Sequence, residues 1–556
     1  MSLYYAIIHA MKRVWDIIGK KQTSVASAAT ILIIMVFASR ILGLIRDRLL
    51  SARFAPEELG VYFAAFRVPN LLFELLIMGA LTSAFIPVFT RYLTHDEEKR
   101  GWRMTAILIN ISLLLLALLS VPILVWTTEI SRFLAPGFSP SEIERMAQFS
   151  RFMIVAQVVP LLVGSFLTGL LQSYNLFIIP AAAPVVYNIG IIAGILLFSP
   201  SWGLYGAVFG VGLGALLFML IQMPLLFRIG YRHAFVFDLS DGGVREVGRL
   251  IGPRTLGLAV SQIDMTVDLI LASLLGARMV TIFNFAQHLG QLPVGLFGAS
   301  IAQAALPTLS VASVKEDRER FKATIMKAIH QILFFVLPAS VFFIVLRIPI
   351  VRLVFGASRF DWQATVLTGM TLSAFSISLF AQSLVHVLAR GFYALYDTRT
   401  PVAVSVISIA INTGLSVFFV QYWHLPVWSL GLSTSIASII NALVLFILLD
   451  QRLGTFPRWK LFGSPIKMFL ASVSAGFAIF VPLKVLDQLV FDTTRTVGLI
   501  LLTGTALSAG LVVYFTIAWL FNVSEVVSFL ALIKRGTKVA PVTLEPAAEI
   551  VDQTTV

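Results

Sequence analysis

The sequence predicts an all-α polytopic membrane protein, and three observations carry that expectation. The 556 residues are 58% hydrophobic and 12% charged, whereas soluble domains are roughly a quarter charged. Apolar runs of about 20 residues, enough to cross roughly 30 Å of hydrocarbon, recur from end to end. These runs are continuous rather than short and alternating, so helices fit them and barrel strands do not. The chain has 44 Phe, 9 Trp and no Cys, which excludes disulfides without fixing a compartment.

About fourteen transmembrane helices are expected, at 25–54, 59–92, 102–128, 148–174, 177–199, 203–228, 247–275, 281–312, 323–355, 364–392, 399–423, 426–452, 464–487 and 494–522. Residues 1–24 form an expected N-terminal interfacial segment, because "MSLYYAIIHAMKRVWDIIGKKQ" lacks a long apolar core and a small-residue cleavage site. Spans 1–6 make an N-lobe over 25–228, spans 7–12 a C-lobe over 247–452, and the last two spans an added pair over 464–522. The remainder, 523–556, is a cytoplasmic tail, and its end reads as disordered. The net charge of +13 is informative through its distribution over loops and does not indicate nucleic acid. About 25 of the 41 basic residues fall in alternate loops, which places both termini in the cytoplasm.

The chain carries an internal repeat. Ser39 and Ser261 open similar segments 222 residues apart, Pro87 and Pro307 lie 220 apart, Gly169 and Gly391 as well as Tyr174 and Tyr396 lie 222 apart, and Pro180 and Pro401 lie 221 apart. An offset holding six spans preserves orientation, so the two lobes are parallel repeats with a cleft between them. That architecture suits alternating access and leaves the cargo open.

Charges inside spans mark candidate sites, since exposing one to lipid costs about 2.5–3.5 kcal/mol on insertion scales. "SRILGLIRD" supplies Ser39, Arg40, Arg46 and Asp47. Seven residues advance a helix by nearly two turns, so Ser39 shares a face with Arg46, and Arg40 with Asp47. Both arginines reach one ligand only if the cavity is wide or the helix bends, with Gly43 a weak point. Arginine offers a permanent charge and a planar fork suited to phosphate oxygens; the alternative is an interfacial cluster at the helix end. Arg67 precedes Pro69, and Glu74 lies in an apolar run. Asp264 and Asp268 share a helix face and suit a proton or Na⁺, or are neutralised by a basic neighbour such as His288. Asn412 and Thr434 offer further oxygens or ordinary interhelical hydrogen bonds. No Walker-type loop or HExxH is present, and the 7 His lack metal spacing. The chain therefore reads as a transporter and not an enzyme, drawing on Na⁺ or H⁺ coupling, the membrane potential or product removal.

Taken together, "SRILGLIRD", "AAFRVPNLL", "GALTSAFIPVF", "QSYNLFIIPAAAPVVYN", "QLPVGLFGASIAQAALP" and "ARGFYALYDTRTP" resemble the MurJ (MviN) family of lipid II flippases, over about residues 25 to 525. The resemblance implies the fold of the multidrug/oligosaccharidyl-lipid/polysaccharide exporter superfamily, a lipid-tail groove at the extra helix pair, and residence in the bacterial inner membrane. It implies lipid II and the bilayer as partners, with the cell-wall synthesis machinery a further expected one. Ser39, Arg40, Arg46 and Asp47 match the family's first-span cavity residues, while Arg48, Arg67 or a protonated His288 is expected to help bind substrate. Asp268, Asn412 and Thr434 fall where some members place a Na⁺ site, and Ser416 replaces another aspartate there. Two usual arginines are missing: Phe73 and His288 stand in their places, and Gly60 stands where an aspartate opens the second span. The rival readings are export of another lipid-linked saccharide, ion-coupled drug export, and a transport-silent scaffold for envelope enzymes.

Overall fold

The computed structural model describes residues 25–78, 84–487 and 495–527. The expected N-terminal interfacial segment and nearly all of the tail lie outside the described residues. Helices make up the fold. Eleven described helices are long and apolar enough to cross a membrane, or twelve if the pair Trp362–Ser376 and Leu379–Ala394, bent by 43°, is one span. Val25–Arg53 and Gly242–Leu274, of 29 and 33 residues, are also long enough to cross, and they open the two halves.

Val25–Arg53 is one uninterrupted α-helix. Gly43 thus does not bend it, and Arg40 and Arg46 stay on separate faces. The expected span 59–92 is instead divided into Pro56–Ala65, Arg67–Phe73 and a wide turn at Glu74–Met78, with Ile86–Thr94 beyond the undescribed 79–83. Pro69 accounts for the first break, since its ring clashes with the carbonyl four residues earlier, at Ala65.

The order of helices is written twice. Glu98–Val125 followed by Thr127–Leu134 recurs as Arg318–Val345 followed by Arg347–Val354, each bound shifted by 220 residues. Pro140 and Trp362 open helices 222 apart. Left-handed backbone recurs as well: Asp96 and Glu316 (φ 56 and 53), Asn175 and Tyr396 (60 and 58), Gly203 and His424 (56 and 49). A residue with a β-carbon resists this conformation by roughly 1–2 kcal/mol. Because the residue types differ within each pair, the shared turn geometry and not the local sequence sets these angles.

Among the described residues, the apolar interior forms two clusters. One joins the first half to Phe285, Phe355 and Phe375 of the second, and the other joins Phe334 and Leu445 to Met468 and Tyr514 of the last two helices. The first cluster ties the halves at the Arg53 end of the bundle. There Gly60 lies against Ala277 and Gly137 against Ser273 so closely that a methyl on either glycine would overlap the facing carbonyl oxygen. Thr281 Oγ1 donates to Pro56 O at 2.6 Å, Arg48 Nη1 to Leu353 O at 2.6 Å, and Ser358 Oγ to Ala52 O at 3.0 Å. Arg278 bridges Glu57 of the first half (2.9 Å) and Asp361 of the second (2.6 Å).

Candidate functional site

A cavity of about 640 Å³ lies between the halves. Its walls come from Val25–Arg53, Pro56–Ala65, Arg67–Phe73, Ile178–Ala193, Gly242–Leu274 and Ala277–Pro293. Arg46, Arg67, Asp268 and His288 are its charged or titratable liners, with Tyr62, Tyr187, Asn70 and several glutamines among the neutral ones.

The helix period puts Ser39 and Arg46 on one face, and both meet Asn188 of Ile178–Ala193. Asn188 Nδ2 donates to Ser39 Oγ at 3.1 Å, and Arg46 Nη1 donates to Asn188 Oδ1 at 3.2 Å. Arg46 also grips Asp47, through Nε at 2.9 Å and Nη2 at 2.8 Å. The second oxygen of Asp47 meets His288 Nδ1 at 3.1 Å. Asp47 is only 2% exposed, and a buried carboxylate is tolerated only when its charge and lone pairs are met. Arg46 and His288 meet them, so His288 serves Asp47 and does not neutralise the Asp264–Asp268 pair.

Arg46 spends three of its five N–H groups in this network and keeps two for the cavity. Arg67 is similar: Nε donates to Thr266 Oγ1 at 2.9 Å, and Nη2 to Gln262 O and Oε1 at 2.5 and 2.8 Å, which leaves the Nη1 pair unspent. Arg46 and Arg67 line one cavity, and the four N–H groups they leave unspent can cradle a phosphate or carboxylate. Arg40 is placed differently. It does not line the cavity, and its guanidinium packs on Gly295, a position where any side chain would collide with it. Six residues of helix put it about 9 Å along the axis from Arg46.

A second polar cluster sits in the other half. Asn412 Nδ2 donates to Asp264 Oδ1 at 3.0 Å and to Asp268 Oδ1 at 3.4 Å. Asn412 is 3% exposed, and its Oδ1 has no hydrogen-bond partner. Thr434 Oγ1 donates to its own helix at Leu430 O, and Ser416 pairs with Ser433 at 2.5 Å. Asp268 and Asn412 are thus brought together, while Thr434 makes no bond to either. Among the described residues, no three His, Asp or Glu converge as a metal site. Glu74 makes no hydrogen bond or ion pair with Arg67.

Asn188 escaped the sequence reading, as did Thr266 and Gln262. One amide in an apolar helix reads as an ordinary interhelical bond. Its position at the end of "QSYNLFIIPAAAPVVYN" was the only available signal.

Comparison with known proteins places the chain. The family described as "Lipid II flippase MurJ" matches residues 54–522, a stretch that begins just past the Arg46–Asp47 helix. The chain is 28% identical over 497 residues to a probable lipid II flippase MurJ of Bdellovibrio bacteriovorus, covering 88% of this chain and 93% of that protein. It is 26% identical over 455 residues to the lipid II flippase MurJ of Burkholderia cenocepacia, covering 79% and 86%. Among solved structures, lipid II flippase MurJ in an inward closed conformation superposes with a TM-score of 0.73 at 25% identity, covering 88% of this chain and 98% of that one. A multidrug-resistance MATE transporter in an inward-facing conformation shares the fold, with a TM-score of 0.63 at 17% identity over 75% and 94%. The chain belongs to the MurJ family of lipid II flippases.

Proposed function

We propose that this flippase carries lipid II from the inner to the outer leaflet of the bacterial inner membrane, with the diphosphate of the substrate held in the cavity by Arg46 and Arg67. The observation that carries the proposal is the pair of guanidinium groups with unspent N–H donors lining one cavity in a chain of this family. With Phe73 and His288 in place of two usual arginines, Arg67 supplies the second cation and His288 holds Asp47 so that Arg46 stays oriented. Arg40 sits nearer the end where the first helix begins and meets the substrate on its way in. No bond is made or broken, and the head group moves by alternating access.

The topology follows from the same reading. The twelve apolar spans and the two charged opening helices make fourteen crossings, arranged as two parallel six-helix lobes plus a final pair, with both termini cytoplasmic. The Arg53 end then faces outward, and its Gly60, Gly137 and Arg278 contacts are the outer closure. An apolar cavity of about 620 Å³ suits the polyprenyl tail. It is lined by Leu461, Phe462 and Phe469 of Arg458–Leu486 and by the second half, but by no residue of Thr496–Leu520. The last helix then backs the groove rather than lining it.

An inside-negative potential favours outward movement of the anionic head group, by about 2.3 kcal/mol per charge per 100 mV. The Asp264, Asp268 and Asn412 oxygens fit a Na⁺ or a proton, because two carboxylates and an unpartnered buried amide oxygen supply hard donors. A bound cation there would neutralise the carboxylate pair, and turning the Asn412 amide would present Oδ1 to it. Thr434 is a candidate further ligand through its free lone pairs.

The proposal is tested by depleting the native flippase of a MurJ-dependent bacterium and supplying this chain. Wild type should restore growth and remove lipid II from the inner leaflet, whereas Arg46→Ala with Arg67→Ala should do neither at equal expression. Full rescue by that variant would remove the site, and rescue without any change in leaflet distribution would favour a scaffold.

A further inference from the structure

Away from the central cavity, one crevice joins an apolar wall to a cationic rim. It encloses about 440 Å³ between the short Arg347–Val354 helix, Trp362, and the neighbouring ends of Arg458–Leu486 and Thr496–Leu520. The rim holds Arg347, Arg352, Lys484 and Asp487, and the wall holds Phe480, Leu499 and Leu502. A smaller hollow of about 280 Å³ continues it, sharing Arg352, Trp362 and Leu499.

Several features set the depth and chemistry of this crevice. Val345 and Leu486 each end a span, so the rim lies at headgroup level and the wall runs down beside the acyl chains. Trp362 is 61% exposed, as suits an indole ring at the membrane–water boundary. The Arg352 guanidinium lies 5.8 Å over that ring, and Lys484 Nζ lies 6.0 Å from the Phe480 ring centre. Arg347 spends one N–H, on Ile344 O at 2.9 Å, which leaves four of its five. Three cations against one carboxylate leave the rim at +2. A zwitterionic headgroup gains nothing net from such a rim, whereas an anionic one does.

We propose that this crevice is a binding site for an anionic glycerophospholipid, its phosphate on Arg347, Arg352 and Lys484 and its chains along Phe480, Leu499 and Leu502. The site does not depend on the flippase reading. It borders the outer closure nevertheless, because Arg48 of the first helix donates to Leu353 O in the same short helix that carries Arg347 and Arg352. A lipid seated here steadies the segment that holds the first helix to the second half.

The experiment is native mass spectrometry of the full chain in detergent, titrated separately with phosphatidylglycerol, phosphatidylcholine and glycerol 3-phosphate. Phosphatidylglycerol should bind at least about tenfold more tightly than either of the others, a difference of 1.4 kcal/mol. Arg347→Gln with Lys484→Gln should abolish that preference while leaving phosphatidylcholine binding unchanged, and Arg359→Gln, which lies outside the crevice, should have no effect. Leu499→Trp, which fills the wall without removing a charge, is the second variant if the first does not fold, and it should lose phosphatidylglycerol equally. The proposal is overturned if wild type shows no preference for the anionic lipid, if folded variants retain that preference, or if glycerol 3-phosphate binds as tightly as the lipid.

Discussion

The opening helices of the two halves carry opposite charges at matching positions. Arg46 and Asp268 lie 222 residues apart, the same spacing that relates the Pro140 and Trp362 helix starts. Each meets an asparagine on the fifth long helix of its own half: Arg46 donates to Asn188 Oδ1, and Asp268 accepts from Asn412 Nδ2. An amide carries an acceptor and a donor on one side chain, so the same scaffold can present a cation in one half and an anion in the other. The repeat thus supplies two equivalent charge–asparagine pairs of opposite sign, with Arg46 and Asp268 both lining the one cavity between the halves. On the proposed reading, the first half addresses an anionic head group and the second a cation.

The comparison is broken most severely at Arg46. Arg46→Ala leaves Asp47 buried with only His288, a loss of about 3–5 kcal/mol when one partner of a buried pair is removed, and lipid II transport in proteoliposomes should fall at least about a hundredfold. Arg46→Lys keeps the charge but cannot hold Asp47 and Asn188 with one planar fork, so it should recover only part of that loss. Gly60→Ala comes next. Its methyl meets the Ala277 carbonyl oxygen, so the outer closure should open and a cysteine placed in the cavity should become reactive to an impermeant thiol reagent added from outside.

Asn188→Ala and Asn412→Ala should each cost about 1–3 kcal/mol through unmet buried partners, but with different consequences. The first should weaken lipid II binding, and the second should alter cation dependence alone. If both variants changed the same property, the division of labour between the halves would not hold.

The smallest effect belongs to the outer ion bridge. The Arg278 guanidinium, by hydrogen bonding, holds the Asp361 carboxyl below its ordinary range. A carboxylate lowered in this way contributes stability above its unfolded value, and the contribution fades as pH falls through the folded value. The outer closure should therefore loosen only in acid below the ordinary carboxylate range. Arg278→Gln should remove that dependence while costing under about 1 kcal/mol, since Glu57 and Asp361 are half exposed. Thiol accessibility measured against pH reads both outcomes.

Much of this was legible in the sequence because lipid enforces simple patterns. Every backbone group in hydrocarbon needs an internal partner, so spans show as long apolar runs, and the repeat showed in Pro and Gly fixed by shared turns. Arg46 and Asp47 stood out because charge in a span is costly. What stayed hidden depended on distance between helices. His288 could have neutralised Asp264 or Asp268, and only the packing of Ala277–Pro293 against Pro56–Ala65 brought it to Asp47. Arg40 looked like the companion of Arg46, yet a straight helix turns it onto Gly295, and it is Arg67, held by Gln262 and Thr266, that lines the cavity with Arg46. The Phe66 break was readable from Pro69, whereas the wide turn at Glu74–Met78 has no comparable residue to announce it.

The most direct test is the affinity of purified protein for lipid II in two variants, Arg46→Gln and Asp268→Asn, both near-isosteric and both at matching repeat positions. Arg46→Gln should weaken lipid II binding at least about tenfold, or 1.4 kcal/mol, while Asp268→Asn leaves it within about twofold. Equal affinity for wild type and Arg46→Gln, or an equal loss in both variants, would contradict the assignment of the anionic head group to the first half.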